Sequence, residues 1–484
     1  MKLNNPELLR SQCLINGEWC DALSGKREAV INPATGAELA SIPLVSEEET
    51  QQAIAAAQRA QNEWKQLTAK QRSALLLAWA DKVLAAQEDL AQLMTAEQGK
   101  SLAEARGEVA YAASFITWFA EEAKRVDGAV LQAPQASQRL VVVKQPIGVC
   151  AAITPWNFPA AMITRKVAPA LAAGCAIIVK PAEQTPLTAL ALAKLAQDAG
   201  IPAGVLQVVT GEAAQVGKVL CDSPVVRKLS FTGSTEVGRI LMAQCAPSIK
   251  KLSLELGGNA PVIVFDDANL DAAVAGIMAS KFRNSGQTCV CANRIYVQDG
   301  IYERLAEKLV AAVEQLNVGD GSQEGTTQGP LIDSDAVAKV QSHIDDALIK
   351  GAQIATGGQP HALGGTFFQP TVVTGVTQKM RFAKEETFGP VAPLFRFHDE
   401  AEAIAMANDT EFGLAAYLFT QNAARQWRVP EALEYGMVGI NTGLISNEVA
   451  PFGGVKQSGL GREGSRYGIE EYLELKYLCI DVSC

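Results

Sequence analysis

Apolar residues recur at helical spacing through residues 46–124. The runs EEETQQAIAAAQRAQNEW and KQRSALLLAWADKVLAAQEDLAQLMTAEQGK are rich in Ala, Leu and Gln, which favour helices. Before them, the turn INPATG separates two stretches of strand character, residues 13–19 and 38–43. The pattern predicts a short β region followed by scaffold helices.

Short apolar strands alternate with helical runs in the rest of the chain. The first set is VCAAITPWNF, CAIIVKPAEQTP, GVLQVVTG and VRKLSFTGSTEVG, each followed by turn residues and a helical stretch. Such alternation predicts a parallel sheet with helices on both faces. A second set after Gly257, made of PVIVFDDA, NRIYVQDG, VAPLFRF and AAYLFT, predicts a second α/β lobe.

These patterns divide the chain into two lobes and a small β element. We predict one lobe from residues 1–125 and 146–256 and a second lobe from residues 257–447, while residues 448–469 return to the first lobe. Residues 126–145 and 470–484 are predicted to form strands outside the lobes. The tail EEYLELKYLCIDV is apolar on both faces, so it needs a cover such as a neighbouring subunit.

Composition narrows the class of protein. With 484 residues, the chain is long enough for two or three domains, and 48% hydrophobic residues with 19% charged residues do not indicate disorder. A net charge of −10 gives no broad basic surface, so nucleic acid is not an expected partner. An uncharged stretch at residues 145–164 contains three prolines and is not expected to cross a membrane.

The ten cysteines are scattered, with no CxxC pair and no nearby histidine. That pattern argues against a metal site and against a disulfide framework. The N-terminal residues show no apolar signal region. We therefore expect a protein of the reducing cytoplasm without a metal.

Three residues are candidates for chemistry. Cys289 lies in KFRNSGQTCVCANR, a segment too polar for an ordinary core strand. Glu255 ends an alternating strand before two glycines, where a carboxylate can act as a general base or can simply lie at the surface. Asn157 lies in TPWNFP, where its amide can donate to an oxyanion or cap the helix that begins near Pro159.

Two further turns can bind a ligand. GSTEVG follows a predicted strand and opens a helix, so Gly233 and Ser234 can approach a phosphate, although a plain strand-to-helix turn has the same pattern. Lys180 and Glu183 follow another strand, where they can contact a ribose or form a solvated loop. EETFGP and PFGGVKQSGLGREG are polar turns without a distinctive function of their own.

Taken together, these stretches resemble the aldehyde dehydrogenase superfamily along nearly the whole chain. The likeness rests on TPWNFP, KPAEQTP, FTGSTEVG, LELGGNAP, GQTC, EETFGP and PFGGVKQSG, in the family's order. It implies an α/β fold with a cofactor-binding lobe, a catalytic lobe and a small β oligomerisation element. It also implies a homo-oligomer, a dimer or a tetramer.

The resemblance implies a role for each candidate. Cys289 would attack an aldehyde as a thiolate, with its pKa lowered by the surroundings. Asn157 would stabilise the oxyanion, and Glu255 would activate water to release a free acid. The cofactor would be NAD by preference, with NADP possible, because a carboxylate at Glu183 repels a 2′-phosphate. The implied cofactor contacts are Thr154, Trp156, Lys180, Glu183, Gly233, Ser234, Glu386 and Phe388.

Within the superfamily, the chain is most similar to succinate-semialdehyde dehydrogenases. That likeness implies that Arg165, Arg283 and Ser446 bind the distal carboxylate of a semialdehyde; salt bridges between the lobes are the alternative role for the arginines. Glutarate semialdehyde and a broader range of aldehydes remain alternative substrates. A non-catalytic relative on the same fold and an esterase are alternatives of other classes. Cys291 is a possible redox partner of Cys289.

Overall fold

The computed structural model describes residues 1–483; Cys484, the last residue of the predicted terminal strand, lies outside the described residues. The helices are α1 (Glu47–Trp64), α2 (Ala69–Ala85), α3 (Gln87–Gln98), α4 (Leu102–Glu122), α5 (Ala161–Ala173), α6 (Pro186–Asp198), α7 (Ala213–Asp222), α8 (Thr235–Cys245), α9 (Leu270–Lys281), α10 (Tyr302–Val313), α11 (Ser334–Ile349), α12 (Glu400–Asn408), α13 (Arg425–Ala432) and α14 (Ser465–Glu470).

The strands are β1 (Cys13–Ile15), β2 (Glu18–Cys20), β3 (Arg27–Ile31), β4 (Glu38–Pro43), β5 (Ala129–Leu131), β6 (Gln138–Pro146), β7 (Val149–Ile153), β8 (Ala176–Lys180), β9 (Leu206–Val208), β10 (Val226–Thr232), β11 (Lys251–Glu255), β12 (Ala260–Val264), β13 (Ala292–Gln298), β14 (Gln353–Thr356), β15 (Thr371–Val376), β16 (Val391–Phe397), β17 (Ala415–Phe419), β18 (Met437–Ile440), β19 (Gly459–Leu460) and β20 (Leu473–Asp481).

The first sheet has eight strands in the order β19-β11-β10-β7-β8-β9-β1-β2. Strands β11, β10, β7, β8 and β9 run parallel, while β19 and the β1–β2 pair are antiparallel at the edges. The chain goes from β7 outward to β8 and β9, and later returns to the other side of β7 with β10. The strand order therefore reverses between β7 and β10, the position where open α/β sheets bind ligands.

The second sheet has seven strands in the order β14-β15-β16-β13-β12-β17-β18. Its strands are parallel except for the edge pair β14–β15. Strand β12 is fully buried, and separate hydrophobic clusters pack on the two faces of the sheet. The continuous apolar sequence of its central strands follows from this burial on both faces.

The predicted helical scaffold consists of four helices, α1 to α4. Ser46 and Thr68 start α1 and α2 with capping boxes, in which each side chain and the third helical residue satisfy each other's backbone N–H groups. Helix α3 ends at Gly99, whose φ of 97° suits a glycine. Within residues 1–483, no helix is long and apolar enough to cross a bilayer.

A third, three-stranded sheet has the order β20-β6-β5. Strand β20 pairs with β6 along all nine of its residues, and eight of those nine are exposed. Exposed apolar side chains on this sheet include Val130, Leu475, Tyr477 and Ile480. The lobe boundaries predicted from the sequence stay predictions, since pairing into sheets does not by itself delimit a domain.

Candidate active site

One cavity of about 290 Å³ brings together residues from five of the seven motifs. The predicted catalytic residues Asn157, Glu255 and Cys289 all line it. Of the predicted cofactor contacts, Trp156, Gly233, Ser234, Glu386 and Phe388 line it as well. These five motifs therefore belong to one site, although they are spread over nearly half of the chain.

The topology explains why these residues meet. Asn157 follows β7, Gly233 follows β10 and Glu255 ends β11, so all three lie at the carboxyl ends of neighbouring parallel strands. The second lobe contributes loops that precede its strands: Cys289 lies before β13 and Glu386 before β16. The site thus lies where the carboxyl edge of one sheet faces the amino edge of the other.

The loop that carries Cys289 has a constrained backbone. Asn284 and Ser285 have φ values of 51° and 54°, and Gly286 has a φ of 75°. A Cβ atom on Gly286 would lie 2.1 Å from the carbonyl oxygen of Gly389, so this position requires glycine. Left-handed residues in succession are costly, and they occur where the surroundings fix a functional loop.

The pKa of the Cys289 thiol is raised, whereas a lowered pKa was expected. Burial is the largest cause that raises it, Arg165 lowers it, and Glu386 and Glu255 add to the rise; together these causes raise the pKa of Cys289 to about 12. The expected lowering is therefore wrong for the protein without cofactor or substrate. The physical reason is that the free energy lost when a thiolate is removed from water exceeds the free energy gained from its attraction to the nearby arginines.

Asn157 does not cap a helix. Its Nδ2 donates to the carbonyl oxygen of Gln287 at 3.0 Å, two residues before Cys289. An amide nitrogen carries two hydrogens, so one remains for an oxyanion formed at Cys289. This contact joins the turn after β7 to the cysteine loop.

Glu255 is buried, and its Oε2 has no hydrogen-bond partner. Burial, and then the charge of Glu463, raise the pKa of Glu255 well above its usual value. A carboxyl group with a raised pKa is suited to accept a proton from water, because its basicity is closer to that required near neutral pH.

Sequence reasoning missed Lys166 and Glu463, which lie beside Glu255. The Glu463 carboxylate accepts a hydrogen bond from Lys166 Nζ and lies 2.8 Å from Arg165 Nε. Burial would raise the pKa of Glu463, but Lys166 and Arg165 hold it below its usual value. A signal was present in the sequence: Arg165 and Lys166 are the charged residues of an otherwise apolar helix, α5, every residue of which is buried.

The cofactor-binding candidates form a cradle that fits a dinucleotide. Ser234 caps α8 by accepting from Val237 N, which leaves other N–H groups of the first turn free for a phosphate. Opposite them, Trp156 and Phe388 pack edge to face with ring centroids 5.6 Å apart. Glu386 accepts from Gly258 N at 3.3 Å, and burial raises the pKa of Glu386 to about 7.

Lys180 and Glu183 lie together at the end of β8. The Lys180 ammonium is buried and donates to Glu183, whose side chain is partly exposed. Thr154, on the adjacent strand end, donates its backbone N–H to the Lys180 carbonyl, and its buried hydroxyl has no partner. After burial, the charge of Glu183 raises the pKa of Glu28, and Glu212 raises it further, so carboxylates outnumber the lysine at this end.

The three predicted substrate residues are not in equivalent surroundings. Arg283 and Ser446 line one small cavity together with Tyr417. Among the ion pairs within residues 1–483, none includes Arg283, and its buried Nε has no partner. Arg165 is instead paired with Glu463 and stacked 3.9 Å from the Phe452 ring, although its Nη2 remains unpartnered. The Arg165–Glu463 ion pair lies within the predicted first lobe and its return segment, so it is not the predicted salt bridge between the lobes.

The Cys291 thiol is buried and donates to the Lys281 carbonyl at 3.2 Å. Its pairing with Cys289 under oxidation stays a prediction. In the part of the chain that the structure describes, no group of three or more His, Cys, Asp or Glu side chains could hold a metal ion.

The family and structure comparisons agree along the chain. The family model described as "Aldehyde dehydrogenase family" matches residues 19–478. The crystal structure of succinate-semialdehyde dehydrogenase from Burkholderia pseudomallei is 63% identical, covers 100% of both chains and has a TM-score of 0.99. The predicted α/β fold of this family is thereby confirmed.

Two relatives are similar over their full length. Succinate-semialdehyde dehydrogenase [NADP(+)] of Escherichia coli strain K12 is 65% identical over 480 residues, which cover 99% of this chain and 100% of the relative. Glutarate-semialdehyde dehydrogenase of Pseudomonas putida strain KT2440 is 64% identical over 482 residues and covers 100% of both chains. Because the two sequence identities are so similar, they do not distinguish succinate semialdehyde from glutarate semialdehyde as the substrate.

The pKa of Cys289 leads to a prediction for the protein without cofactor. With a pKa of about 12, the thiolate fraction should rise about tenfold per pH unit between pH 7 and 10. The rate of Cys289 alkylation by iodoacetamide, followed by mass spectrometry of its peptide, should rise in proportion. N-acetylcysteine in the same solution corrects for the reagent. A rate that stays level above pH 7 would mean that the thiol is already ionised.

Proposed function

The chain belongs to the aldehyde dehydrogenase family, and from that premise we propose that it oxidises succinate semialdehyde to succinate with a nicotinamide cofactor. The observation that carries the proposal is the single cavity lined by Cys289, Glu255 and Asn157. A non-catalytic relative on the same fold has no need to keep all three in one cavity. The enzyme is an oxidoreductase that acts on an aldehyde group.

The first half of the reaction uses Cys289 and Asn157. The Cys289 thiolate attacks the aldehyde carbon, and the carbonyl oxygen becomes an oxyanion. The free N–H of Asn157 Nδ2 and the backbone N–H of Cys289 donate to that oxyanion, a kind of contact that is worth about 3 to 4 kcal/mol at the transition state. NAD or NADP, when bound, accepts the hydride that the thiohemiacetal carbon loses.

Glu255 acts in the second half of the reaction, the hydrolysis of the thioester. It removes a proton from a water molecule, which attacks the thioester on Cys289 and releases the acid and the thiol. Its raised pKa suits this step, since a more basic carboxylate is a stronger general base. Beside Glu255, the Glu463 carboxylate accepts from Lys166 Nζ and lies 2.8 Å from Arg165 Nε, so its negative charge supports the ionised form of Arg165 and fixes its position. A thioester hydrolysed in this way yields the free acid.

Arg283 supports a substrate with a distal carboxylate. A guanidinium group without an ionic partner in a partly buried cavity is costly, and an anionic substrate would supply the missing partner. Ser446, on the same cavity, adds a hydroxyl donor. Arg165 contributes through its unpartnered Nη2 while Glu463 holds its Nε. Glutarate semialdehyde is the second candidate, because one methylene changes binding by only about 1–3 kcal/mol.

We propose that NAD is preferred and that NADP is also accepted. The support for NAD is electrostatic: Glu183, Glu28 and Glu212 lie around a single lysine, and the 2′-phosphate of NADP would add negative charge there. The printed name of the E. coli relative points to NADP instead. The preference therefore depends on these carboxylates.

The same proposal covers assembly and location. The exposed apolar sheet of β5, β6 and β20 supports a homo-oligomer, since an uncovered apolar sheet of this kind is a surface for association. The cytoplasm is the proposed location; the nine described cysteines all have free thiols.

The substrate assignment predicts the effect of Arg283→Ala. Loss of the guanidinium should raise KM for succinate semialdehyde by about 100-fold, because a charge-assisted contact of about 2–3 kcal/mol is removed. KM for hexanal, which has no carboxylate, should change by less than about threefold. Steady-state kinetics on both aldehydes with the same enzyme preparation measure this difference, and Arg283→Lys should recover part of it. Equal increases for both aldehydes would contradict the assignment.

The cofactor assignment predicts a ratio and its response to Glu183→Ser. The wild-type enzyme should have a higher kcat/KM for NAD than for NADP. Removing the carboxylate should shift the ratio toward NADP by about tenfold or more, because the repulsion between one carboxylate and a neighbouring 2′-phosphate is worth about 1–2 kcal/mol. Glu307→Ser, on the exposed face of α10, is the control and should leave the ratio unchanged. A wild-type ratio in favour of NADP would overturn the preference.

A further inference from the structure

Helix α5 follows the Asn157 turn, and its N-terminus is capped from a distance. Its N-cap residue, Ala160, has no side-chain cap. Glu108, on α4, supplies the acceptor instead: its Oε1 accepts from Ala160 N at 2.9 Å and from Ala161 N at 3.2 Å. A carboxylate at a helix N-terminus is favourable because it satisfies free N–H groups and faces the positive end of the helix dipole.

The second carboxylate oxygen of Glu108 binds Lys100. Both side chains are almost completely buried, at 1% and 2% exposure, so the pair is isolated from solvent. Lys100 Nζ also donates to the backbone carbonyl of Asn157 at 2.8 Å. The pair therefore connects α4, the N-terminus of α5 and the peptide group of the oxyanion donor.

Asn157 receives a second hydrogen bond on the same carbonyl. Asn284 Nδ2 donates to it at 3.0 Å, and Glu104 Oε1 fixes Asn284 by accepting from its backbone N–H at 2.7 Å. The two donors come from different parts of the chain, one from the α3–α4 junction and one from the constrained loop before Cys289. Both Asn157 and the loop that carries Cys289 are thus tied to α4.

From these contacts we infer that the buried Lys100–Glu108 ion pair is a positioning device for Asn157, which sets the direction of its amide toward the oxyanion. Lys100 and Glu108 touch neither the substrate nor the cofactor; they act through the Asn157 peptide group. The inference rests on the proposed function, in which Asn157 is the oxyanion donor. Neither residue was singled out by the sequence, where both lie within the helical scaffold.

Energetics favour a positioning role over a stabilising one. A buried ion pair adds little net stability, because desolvation of both charges offsets their attraction. Its directional contacts, however, hold a dipole in one orientation. Oxyanion stabilisation depends strongly on that orientation, and a displacement of about 1 Å can cost about 100-fold in rate.

The test is a double-mutant cycle between the ion pair and Asn157. Lys100→Met with Glu108→Gln removes both charges together and keeps an oxygen that can cap α5. In the wild-type background, this double change should lower kcat/KM for succinate semialdehyde about 10- to 100-fold at saturating cofactor. In the Asn157→Ala background, the same change should lower it less than about twofold, because the group to be positioned is absent.

Two controls separate positioning from other effects. Glu97→Gln alters an equally buried carboxylate that caps α6 through Leu187 N and Thr188 N, and it should keep kcat/KM within about twofold. The second control is hexanal as the substrate. The Phe158 ring lies 4.0 Å from Lys100 Nζ and 4.8 Å from the Arg283 guanidinium, so a change at Lys100 can displace Arg283 through Phe158. Hexanal has no carboxylate and does not depend on Arg283. Loss of oxyanion positioning should lower kcat/KM equally for both aldehydes, while displacement of Arg283 would affect the semialdehyde alone.

Each outcome decides the inference. Additive losses in the Asn157→Ala background, an equal loss in Glu97→Gln, or a loss confined to the semialdehyde would overturn it while leaving the proposed function intact. An Asn157→Ala enzyme of full activity would overturn both the oxyanion role and the inference. If the double variant does not fold, Glu108→Gln alone completes the same cycle, since it keeps the capping oxygen and removes the ionic partner of Lys100.

Discussion

A buried charge needs a partner, and the site is organised by that requirement. Glu463 is held between Lys166 and Arg165, and its neighbour Glu255 is left without a hydrogen bond on Oε2. An unsatisfied buried carboxyl oxygen is costly to stability. It is also the arrangement that raises the basicity of Glu255 and leaves it free to bind water. The Glu255 carboxyl group thus lowers the stability of the fold and is also the group that the hydrolysis step requires.

The same requirement sets where the substrate binds. Arg283 lies in a cavity that no carboxylate lines among residues 1–483, whereas Arg165 already has Glu463 as its ionic partner. A protein carboxylate beside Arg283 would have paired with its guanidinium and made Arg283 a structural residue. Its absence leaves a positive charge for the distal carboxylate of a semialdehyde. The aldehyde end of such a substrate then lies toward Cys289, six residues further along the chain.

Sequence patterns predicted the residues that follow strands and missed those whose role depends on contacts with distant parts of the chain. Asn157, Gly233 and Glu255 were found because a turn after a parallel strand is where α/β sheets bind ligands. Lys100 and Glu463 have no such local sign, since Lys100 contacts Asn157, and Glu463 contacts Arg165 and Lys166, at positions distant in sequence. Lys100 also lies in a stretch predicted to be helical, where a charged residue is typical of a solvated face. The pKa of Cys289 was predicted in the wrong direction because burial cannot be inferred from a polar sequence.

The central claim is that one cavity carries out thioester formation at Cys289 and hydrolysis through Glu255. The most direct measurement is to mix the Glu255→Gln variant with succinate semialdehyde and NAD, quench the mixture in acid and map the peptides by mass spectrometry. The account predicts about one NADH per site and a succinyl group on the Cys289 peptide, because the thioester forms and is not hydrolysed. Turnover at the wild-type rate, or an acyl group on any other residue, would contradict it.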